Sequence, residues 1–272
     1  MTDKYFFLNA DDFGLSKEHN QAVLYGYKTG FLKHTSLVVN TLYFDDVINN
    51  IIPVCPKLNI GLHLNIMEGK SLTKCPMLTD NKGNFNRSYL YYIFNQNNKK
   101  LLAQIEKEFE AQIIKALNNN IKIFRLDSHV HVHGIPEIFR ITCKLANKYN
   151  IPYVRTQFEK PYFCKSKRLK PINLIKVILL QHFTKINQKV IKKHNLKTNS
   201  YILGIGYTAM MSQDTIQAGL RNLNCEIIEC IIHPCKYENK ENNSHAIEFG
   251  ITQNLDLKTY IENIDYKITN FF

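Results

Sequence analysis

Short apolar runs alternate with amphipathic stretches along most of the chain. Runs rich in β-branched and aromatic residues predict strands, which we place at 5–8, 35–40, 58–64, 121–126, 152–155, 201–205 and 226–232. Helical spacing of apolar residues, with caps and prolines at the ends, predicts helices at 17–29, 45–52, 99–118, 136–148, 213–223 and 257–264. The tail from Tyr266 is expected to add a last strand. Residues 67–88 are rich in Gly, Pro, Asn and Thr, which predicts a long loop of the kind that lines active sites.

This alternation of strands and helices predicts an α/β fold with a parallel sheet. Seven or so hydrophobic strands around one core favour an irregular (β/α) barrel over an open doubly wound sheet. The hydrophobic content of 44% is ample for such a core. No internal repeat or low-complexity linker interrupts the pattern, so residues 1–272 are expected to form a single domain.

The net charge of +12 is concentrated in one segment, since residues 157–200 contribute +10 and the other 228 residues only +2. Its aliphatic residues follow helical spacing, which predicts a basic amphipathic helix; they are Ile172, Ile175, Leu179, Phe183, Ile186 and Val190. Such a helix most often packs on a barrel with its lysines in water, but residues 172–194 would also suit an anionic membrane interface. A nucleic-acid-binding segment would often interleave aromatic residues along a basic groove, whereas here the aliphatic residues follow helical spacing, so nucleic acid is not a predicted partner.

The cellular compartment is predicted from what the sequence lacks. No stretch approaches the roughly 18 apolar residues that span a bilayer, and the N-terminus has no signal-peptide pattern. Seven cysteines, an odd number without a regular framework, fit a reducing compartment, so a cytoplasmic location is expected. Cys225, Cys230 and Cys235 lack the close pairs of a zinc knuckle and are interpreted as core and loop thiols.

Polar residues stand at the ends of five predicted strands. Each lies at or just after the carboxyl end of its strand, and together they are Asp11, Asp12, His63, His129, Arg155 and His233. In a barrel these ends meet at one rim, where active sites are built. A carboxylate with two histidines can hold a metal ion, and the carboxylate of the Asp pair that is not a ligand is the natural base. His129, His131 and His133 would share one face if extended, so spacing alone does not choose the ligand among them.

Four motifs carry a family resemblance across the whole chain. In order they are NADDFG at 9–14, GLHLN at 61–65, DSHVHVH at 127–133 and HP at 233–234. Together they resemble the YdjC-like carbohydrate deacetylases, which include chitooligosaccharide deacetylases and members associated with hopanoid biosynthesis. The resemblance implies an irregular (β/α) barrel of the glycoside hydrolase/deacetylase type. It also implies hydrolysis of the N-acetyl group of an amino sugar, a reaction at a carbon–nitrogen bond other than a peptide bond.

The resemblance also implies roles for individual residues. By position, Asp12, His63 and His129 would bind the metal, and Asp11 would be the general base. His233 would protonate the leaving amine or orient the base, and Arg155 would lie near the Asp pair. For His131 and His133 three roles stay open: contact with substrate, support of the ligands, or simple surface residues.

The implied cofactor is one divalent metal ion, magnesium or zinc, and two imidazole ligands intrinsically suit zinc. The implied substrate is an N-acetylated sugar. The hopanoid-associated members resemble this chain in having a basic insertion, so a lipid-linked or otherwise amphiphilic sugar is plausible, with peripheral contact at the inner membrane face. Related barrels often pair, so a homodimer is compatible with the resemblance.

Two other functions compete with the deacetylase. A metal-dependent phosphoesterase on a similar barrel would need a second metal and would have to recruit His131 or His133. A non-catalytic scaffold that binds sugar or membrane would keep the fold without the chemistry. The intact Asp pair argues against the scaffold, because a pure binder gains nothing from two adjacent carboxylates at one strand end.

Overall fold

The computed structural model describes residues 3–221, 223–237 and 243–268. Its strands are β1 (Lys4–Phe13), β2 (His34–Leu37), β3 (Asn59–Leu64), β4 (Ile123–Ser128), β5 (Tyr153–Val154), β6 (Tyr201–Leu203), β7 (Ile227–Ile232) and β8 (Tyr266–Lys267). Its helices are α1 (Lys17–Thr29), α2 (Phe44–Asp46), α3 (Tyr89–Phe94), α4 (Lys99–Asn118), α5 (Pro136–Lys148), α6 (Pro171–His194), α7 (Gln213–Leu220), α8 (Ser244–Thr252) and α9 (Leu255–Asn263).

The strands form one parallel sheet in the order β5-β4-β3-β2-β1-β7-β6, and β8 pairs with the start of β1. The sheet curls into a half-barrel surrounded by helices, which confirms the predicted α/β barrel. Single backbone contacts partly bridge the gap between β5 and β6. The N–H of Val154 donates to the carbonyl of Lys197 at 3.0 Å, and the N–H of Ile202 donates to the carbonyl of Phe158 at 3.0 Å.

Two of the outer helices, α1 and α4, have the bounds predicted from the sequence, and both begin directly after a residue whose side chain caps the first turn. Ser16 caps α1 by accepting a hydrogen bond from the N–H of His19, and the helix has the predicted bounds. Asn98 caps α4 in the same way. The apolar face predicted for α4 is buried in the core throughout; it consists of Leu101, Ile105, Phe109, Ile113 and Ala116.

The basic helix α6 packs on α5, and only part of the predicted stripe is buried, including Phe183 and Val190. Its buried face includes Val177, Leu180 and Asn187, whereas Ile172 is 68% exposed and Ile175 is 62% exposed. The predicted stripe is therefore wrong for the first half of the helix. That half presents aliphatic side chains at the surface.

Several local elements differ from the predicted pattern. The predicted helix at 45–52 is three short pieces: α2, a π-turn at Val47–Ile51 and a 3-10 turn at Ile52–Val54, where Pro53 interrupts the helical pattern. The short helix α3 and the helix α8 were not predicted. In the described ranges, no helix is long and apolar enough to cross a membrane.

Candidate active site

The polar residues predicted from strand ends converge at the carboxyl edge of the sheet. They lie in or directly after five different strands: Asp11 and Asp12 in β1, His63 in β3, His129 after β4, Arg155 after β5 and His233 after β7. Parallel register explains the convergence. His63 pairs with Asp127 across β3 and β4, and Ala10 pairs with Ile232 across β1 and β7.

The backbone of β1 is irregular where it carries the two aspartates. Its register against β2 shifts between Ala10 and Phe13, and Asp12 has φ +67°. Aspartate tolerates this left-handed conformation better than most residues, and a register shift turns side chains away from the regular pleat. Gly14 follows with φ +88°, and a Cβ there would lie 2.6 Å from the Val38 carbonyl oxygen. The glycine is therefore required for β2 to approach this turn.

Asp12 lies between the two histidines that were predicted as metal ligands. Its Oδ1 is 2.8 Å from Nδ1 of His129 and 3.4 Å from Nε2 of His63. One potential ligand atom from each of the three residues lies within 4.8 Å of the others. We call these three residues the carboxylate cluster. Glu68, from the predicted loop, approaches it with Oε2 at 3.8 Å from Nε2 of His129.

The carboxylate cluster is electrostatically set to hold positive charge. Burial disfavours the imidazolium forms, but nearby carboxylates outweigh it and raise the pKa of His129 to about 10 and that of His63 to about 9. Burial likewise opposes ionisation of Asp12, yet His129 holds the pKa of Asp12 well below its usual range. A divalent cation satisfies the same demand for positive charge that these shifts express.

Asp127 fixes the orientation of His63. Its Oδ1 lies 2.6 Å from Nδ1 of His63, which leaves Nε2 directed to Asp12. Its Oδ2 is held by Arg125 Nε at 2.8 Å and by the hydroxyl of Ser36 at 2.7 Å. A carboxylate that orients a histidine in this way is the usual support of a metal ligand. Sequence analysis included Asp127 in a motif but gave it no role.

Asp11 is held in a fork formed by Arg155, and one of its carboxylate oxygens lies within 4.8 Å of a ring nitrogen of His63. The guanidinium binds both carboxylate oxygens, with Nη1 to Oδ2 and Nη2 to Oδ1 each 2.8 Å. Asn9 adds a hydrogen bond to Oδ1 at 2.6 Å. Burial raises the pKa of Asp11, but the charge of Arg155 outweighs it, and the pKa falls to about 2. Asp11 is therefore ionised at neutral pH.

Two further buried charges complete this network beneath the rim. Glu229 in β7 accepts from Arg155 Nε at 2.9 Å and pairs with Arg125 Nη1 at 2.7 Å. All three residues are fully buried, where an unpaired charge would be strongly destabilising. Sequence analysis missed Glu229 and Arg125. The available signal was a charged residue among the apolar residues of each of the two strands.

His233 lies close enough to the Asp pair to respond to its charge. Burial lowers the pKa of His233, but the hydrogen bond with Glu248 and the charges of Asp12 and Asp11 outweigh it, and the pKa is raised. Nδ1 of His233 is 3.6 Å from Oε2 of Glu248, which also accepts the backbone N–H of His233. Glu248, on the unpredicted helix α8, is a further residue that sequence analysis missed.

His131 and His133 are not part of the carboxylate cluster. The chain leaves β4 in a 3-10 turn with positive φ at Val130 and His131, so the three histidines do not share an extended face. His133 is buried. Its Nδ1 forms a hydrogen bond with the Ser128 hydroxyl, and its Nε2 lies 3.1 Å from the carbonyl oxygen of Arg155. It braces the loop that carries Arg155. Surface roles are excluded for both histidines, because both are buried.

The donor set of the carboxylate cluster fits a divalent metal ion. One carboxylate and two imidazoles are a common three-residue set for zinc and related ions, and they leave coordination positions for water and substrate. The Asp127–His63 hydrogen bond supplies the expected support on the far side of one ligand.

A model of the family described as YdjC-like protein matches residues 5–268. The chain belongs to this family. The resemblance found in the sequence is therefore confirmed.

Named relatives match over nearly the whole chain. A carbohydrate deacetylase of Thermoanaerobacter pseudethanolicus is 28% identical over 98% of this chain and 98% of its own length. A carbohydrate deacetylase of Clostridium beijerinckii is 27% identical over 95% of this chain and 93% of its own length. These names agree with the predicted enzyme class.

Solved structures share the fold. A putative cellobiose-phosphate cleavage protein of Enterococcus faecalis superposes with a TM-score of 0.76 at 23% identity, over 99% of this chain and 98% of that one. A lactam utilization protein of Thermus thermophilus superposes with a TM-score of 0.50 at 10% identity, over 98% and 100% of the two chains. At these identities the likeness describes the fold alone.

Proposed function

We propose that this protein hydrolyses the N-acetyl group of an N-acetylated amino sugar in a reaction that depends on one divalent metal ion. The observation that carries the proposal is the division of the adjacent carboxylates. Asp12 faces two histidines, whereas Asp11 is held by the Arg155 fork. The names of the relatives support a sugar substrate.

Asp12, His63 and His129 would hold the ion. When bound, a divalent ion there would supply Lewis acidity, which polarises an acyl carbonyl and lowers the pKa of a water molecule. His63 and His129 bind as neutral imidazoles, and their high affinity for protons predicts that acid competes with the metal. Two imidazoles favour zinc over magnesium.

Asp11 would accept the proton of the attacking water. The Arg155 fork keeps the carboxylate ionised and fixes its plane, so it is ready to act as a base without reorganisation. Its low pKa makes it a weak base, which suits a water molecule that is already acidified. Arg155 is then a positioning residue, since its contacts are to carboxylates.

His233 would donate a proton to the leaving amine. Its raised pKa favours the imidazolium form that a general acid needs. Glu248 orients the ring through Nδ1, which leaves Nε2 for the leaving nitrogen. Acetate and a free amine are the products.

The rival phosphoesterase finds less support. It needs two ions about 3.5–4 Å apart in one site. It would have to recruit His131 or His133 for the second ion, but among the described residues neither histidine joins a group of three metal-type side chains. His133 is also engaged with Ser128. A non-catalytic scaffold does not account for the separate environments of Asp11 and Asp12.

An amphiphilic substrate is supported by the surface next to the site. A cavity of about 280 Å³ is lined by Val130, the residue that follows His129 in the chain, and by other mainly apolar residues that include Tyr89, Ile172 and Ile175. A lipid-linked sugar could place its apolar part there, with lysines of α6 near anionic headgroups. Sedimentation with anionic vesicles tests the membrane contact: replacing Lys189, Lys192 and Lys193 by Gln should reduce it, and unchanged sedimentation would contradict it.

Acetate release tests the function directly. The metal-loaded protein would be assayed with N-acetylglucosamine oligomers and with a glycolipid carrying the same sugar, before and after chelation. Release from either substrate that stops on chelation and returns with metal is the expected result. Release of phosphate from sugar phosphates, without acetate release, would replace the proposal by the phosphoesterase.

A further inference from the structure

A second group of metal-type donors lies near the carboxyl ends of β1 and β7. It comprises His19 of α1, Cys235, which lies three residues after the end of β7, and His245 of α8. One potential ligand atom from each residue lies within 4.8 Å of the others. We call it the thiol cluster. It shares no residue with the carboxylate cluster, and the proposed deacetylation does not use it.

His19 presents a free nitrogen to this group. The hydroxyl of Ser16 donates to Glu18 at 2.7 Å, so it accepts from Nδ1 of His19 at 3.0 Å. Nδ1 then carries the proton and Nε2 carries the lone pair. Nε2 is buried and lacks a hydrogen-bond partner within the residues that the structure describes. A buried polar atom without a partner is costly, and a bound ligand would remove that cost.

His245 is oriented by the backbone. Its Nδ1 lies 2.6 Å from the carbonyl oxygen of His233, and a carbonyl only accepts, so Nδ1 must carry a proton. Nε2 is therefore the remaining donor atom for a metal. The ring is 6.1 Å from the ring of His19, centroid to centroid.

Cys235 supplies the third donor. The residue is buried, and burial raises the pKa of its thiol to about 12. Burial also lowers the pKa of His19 to about 4, so that imidazole is neutral at ordinary pH and able to bind a metal. A metal ion would take the place of the thiol proton, which leaves for solvent as the metal–sulfur bond forms.

We propose that His19, Cys235 and His245 form a second metal site, which takes Zn²⁺ with water in the fourth tetrahedral position. Thiolate with two imidazoles is a zinc donor set and is unsuited to magnesium. Bond lengths to zinc would be about 2.0–2.3 Å, and the three ligand atoms already lie within 4.8 Å of one another.

The site joins three segments that already touch through the backbone. The N–H of Cys235 donates to the carbonyl of His245 at 3.0 Å, and the N–H of Lys236 donates to the carbonyl of Glu18 at 3.0 Å. An ion bound there would tie the segment around Cys235 to α1 and α8. Through the His245–His233 hydrogen bond, the same ion would hold the backbone of His233 in place.

Cobalt spectroscopy separates this site from the carboxylate cluster, because only a thiolate ligand gives sulfur-to-cobalt charge-transfer absorption. The full-length protein, stripped of metal, would be titrated with Co²⁺ and then with Zn²⁺. We expect the charge-transfer band to appear and to disappear when zinc displaces cobalt. Its absence from the wild-type protein would overturn the proposal.

Variants assign the band to residues. Cys235→Ser should abolish the band, and His19→Gln should weaken cobalt binding at the same site. Cys225→Ser is the matched control, since this half-buried thiol lies outside the thiol cluster, and it should keep the band. Asp12→Ala should also keep it while one ion per chain is lost from the carboxylate cluster. A band that survives Cys235→Ser, or that vanishes in Cys225→Ser, would refute the assignment.

Discussion

The carboxylate cluster and the thiol cluster contain similar numbers of donors but have different supports. The carboxylate cluster is backed by Asp127, which is itself held by Arg125 in the centre of the sheet. The thiol cluster is oriented by a local hydroxyl and by one backbone carbonyl. Buried charged residues behind the ligands suit a catalytic centre, because it must keep its geometry while charge develops in the reaction. Hydrogen bonds from neighbouring residues are sufficient for a site that holds segments of the chain together.

We expect the largest difference between the two clusters when a ligand is removed from each in turn and metal content and activity are compared. We expect His63→Ala and His129→Ala to lose the active-site ion and to reduce kcat/KM by roughly 1,000-fold or more, because the metal acts on the reacting groups. Cys235→Ser should keep that ion. Metal analysis and acetate release check both, and a His63→Ala protein with full metal and activity would contradict the ligand assignment.

Replacing the proposed acid should lower turnover without removing metal. For His233→Gln we expect kcat to fall by roughly 100- to 10,000-fold, since positioned acid–base groups contribute about that much. Metal content should stay unchanged, because His233 is outside both clusters. A substrate with a better leaving amine should recover part of the loss, and normal kcat in the variant would exclude His233 as the acid.

Asp127, which supports the carboxylate cluster, should affect how tightly the metal ion binds rather than whether it binds. In Asp127→Asn, His63 loses its charged partner, and metal affinity should fall by about 10- to 100-fold. A competition titration with a chelating dye measures this change. Unchanged metal affinity would show that the contact between Asp127 and His63 does not strengthen metal binding at the carboxylate cluster.

Acid stability tests the loop that carries the arginine fork. Burial holds the pKa of His133 at about 3, below the ordinary value of 6.5, so the unfolded chain binds a proton that the folded chain refuses. This difference in proton binding leaves the free energy of unfolding at its full value above pH 6.5 and lowers it as pH falls through about 3. In His133→Gln, the fall in unfolding free energy between about pH 6.5 and 5 should be shallower. An identical slope in denaturant unfolding would contradict the shifted pKa.

The two clusters also differ in how far the sequence predicts them. Asp12, His63 and His129 each lie at or just after the carboxyl end of a recognisable strand, and parallel strands bring these ends together, so the cluster could be predicted from the sequence. Cys235 also follows a strand, but its partners do not follow one. His19 lies inside a helix and His245 near the start of an unpredicted one, so only tertiary packing joins them.

The buried charges show a further limit of the sequence pattern. Arg125 and Glu229 lie in apolar strands, and nothing in their spacing pairs a residue of β4 with one of β7. The pairing arises because the sheet curls, which brings side chains from separated strands to one interior. The exposed start of α6 shows a different limit. The helical period predicts a stripe of apolar residues, but packing against the neighbouring α5 determines which face is buried.

A comparison of the two adjacent aspartates tests their proposed roles most directly. Metal content and acetate release would be measured for Asp11→Asn and Asp12→Asn side by side. We expect Asp11→Asn to keep its metal and lose turnover, with Arg155 still held by Asp127 and Glu229, whereas Asp12→Asn should lose both metal and turnover. Near-normal turnover in Asp11→Asn, or retained metal in Asp12→Asn, would contradict the division of roles between the two carboxylates.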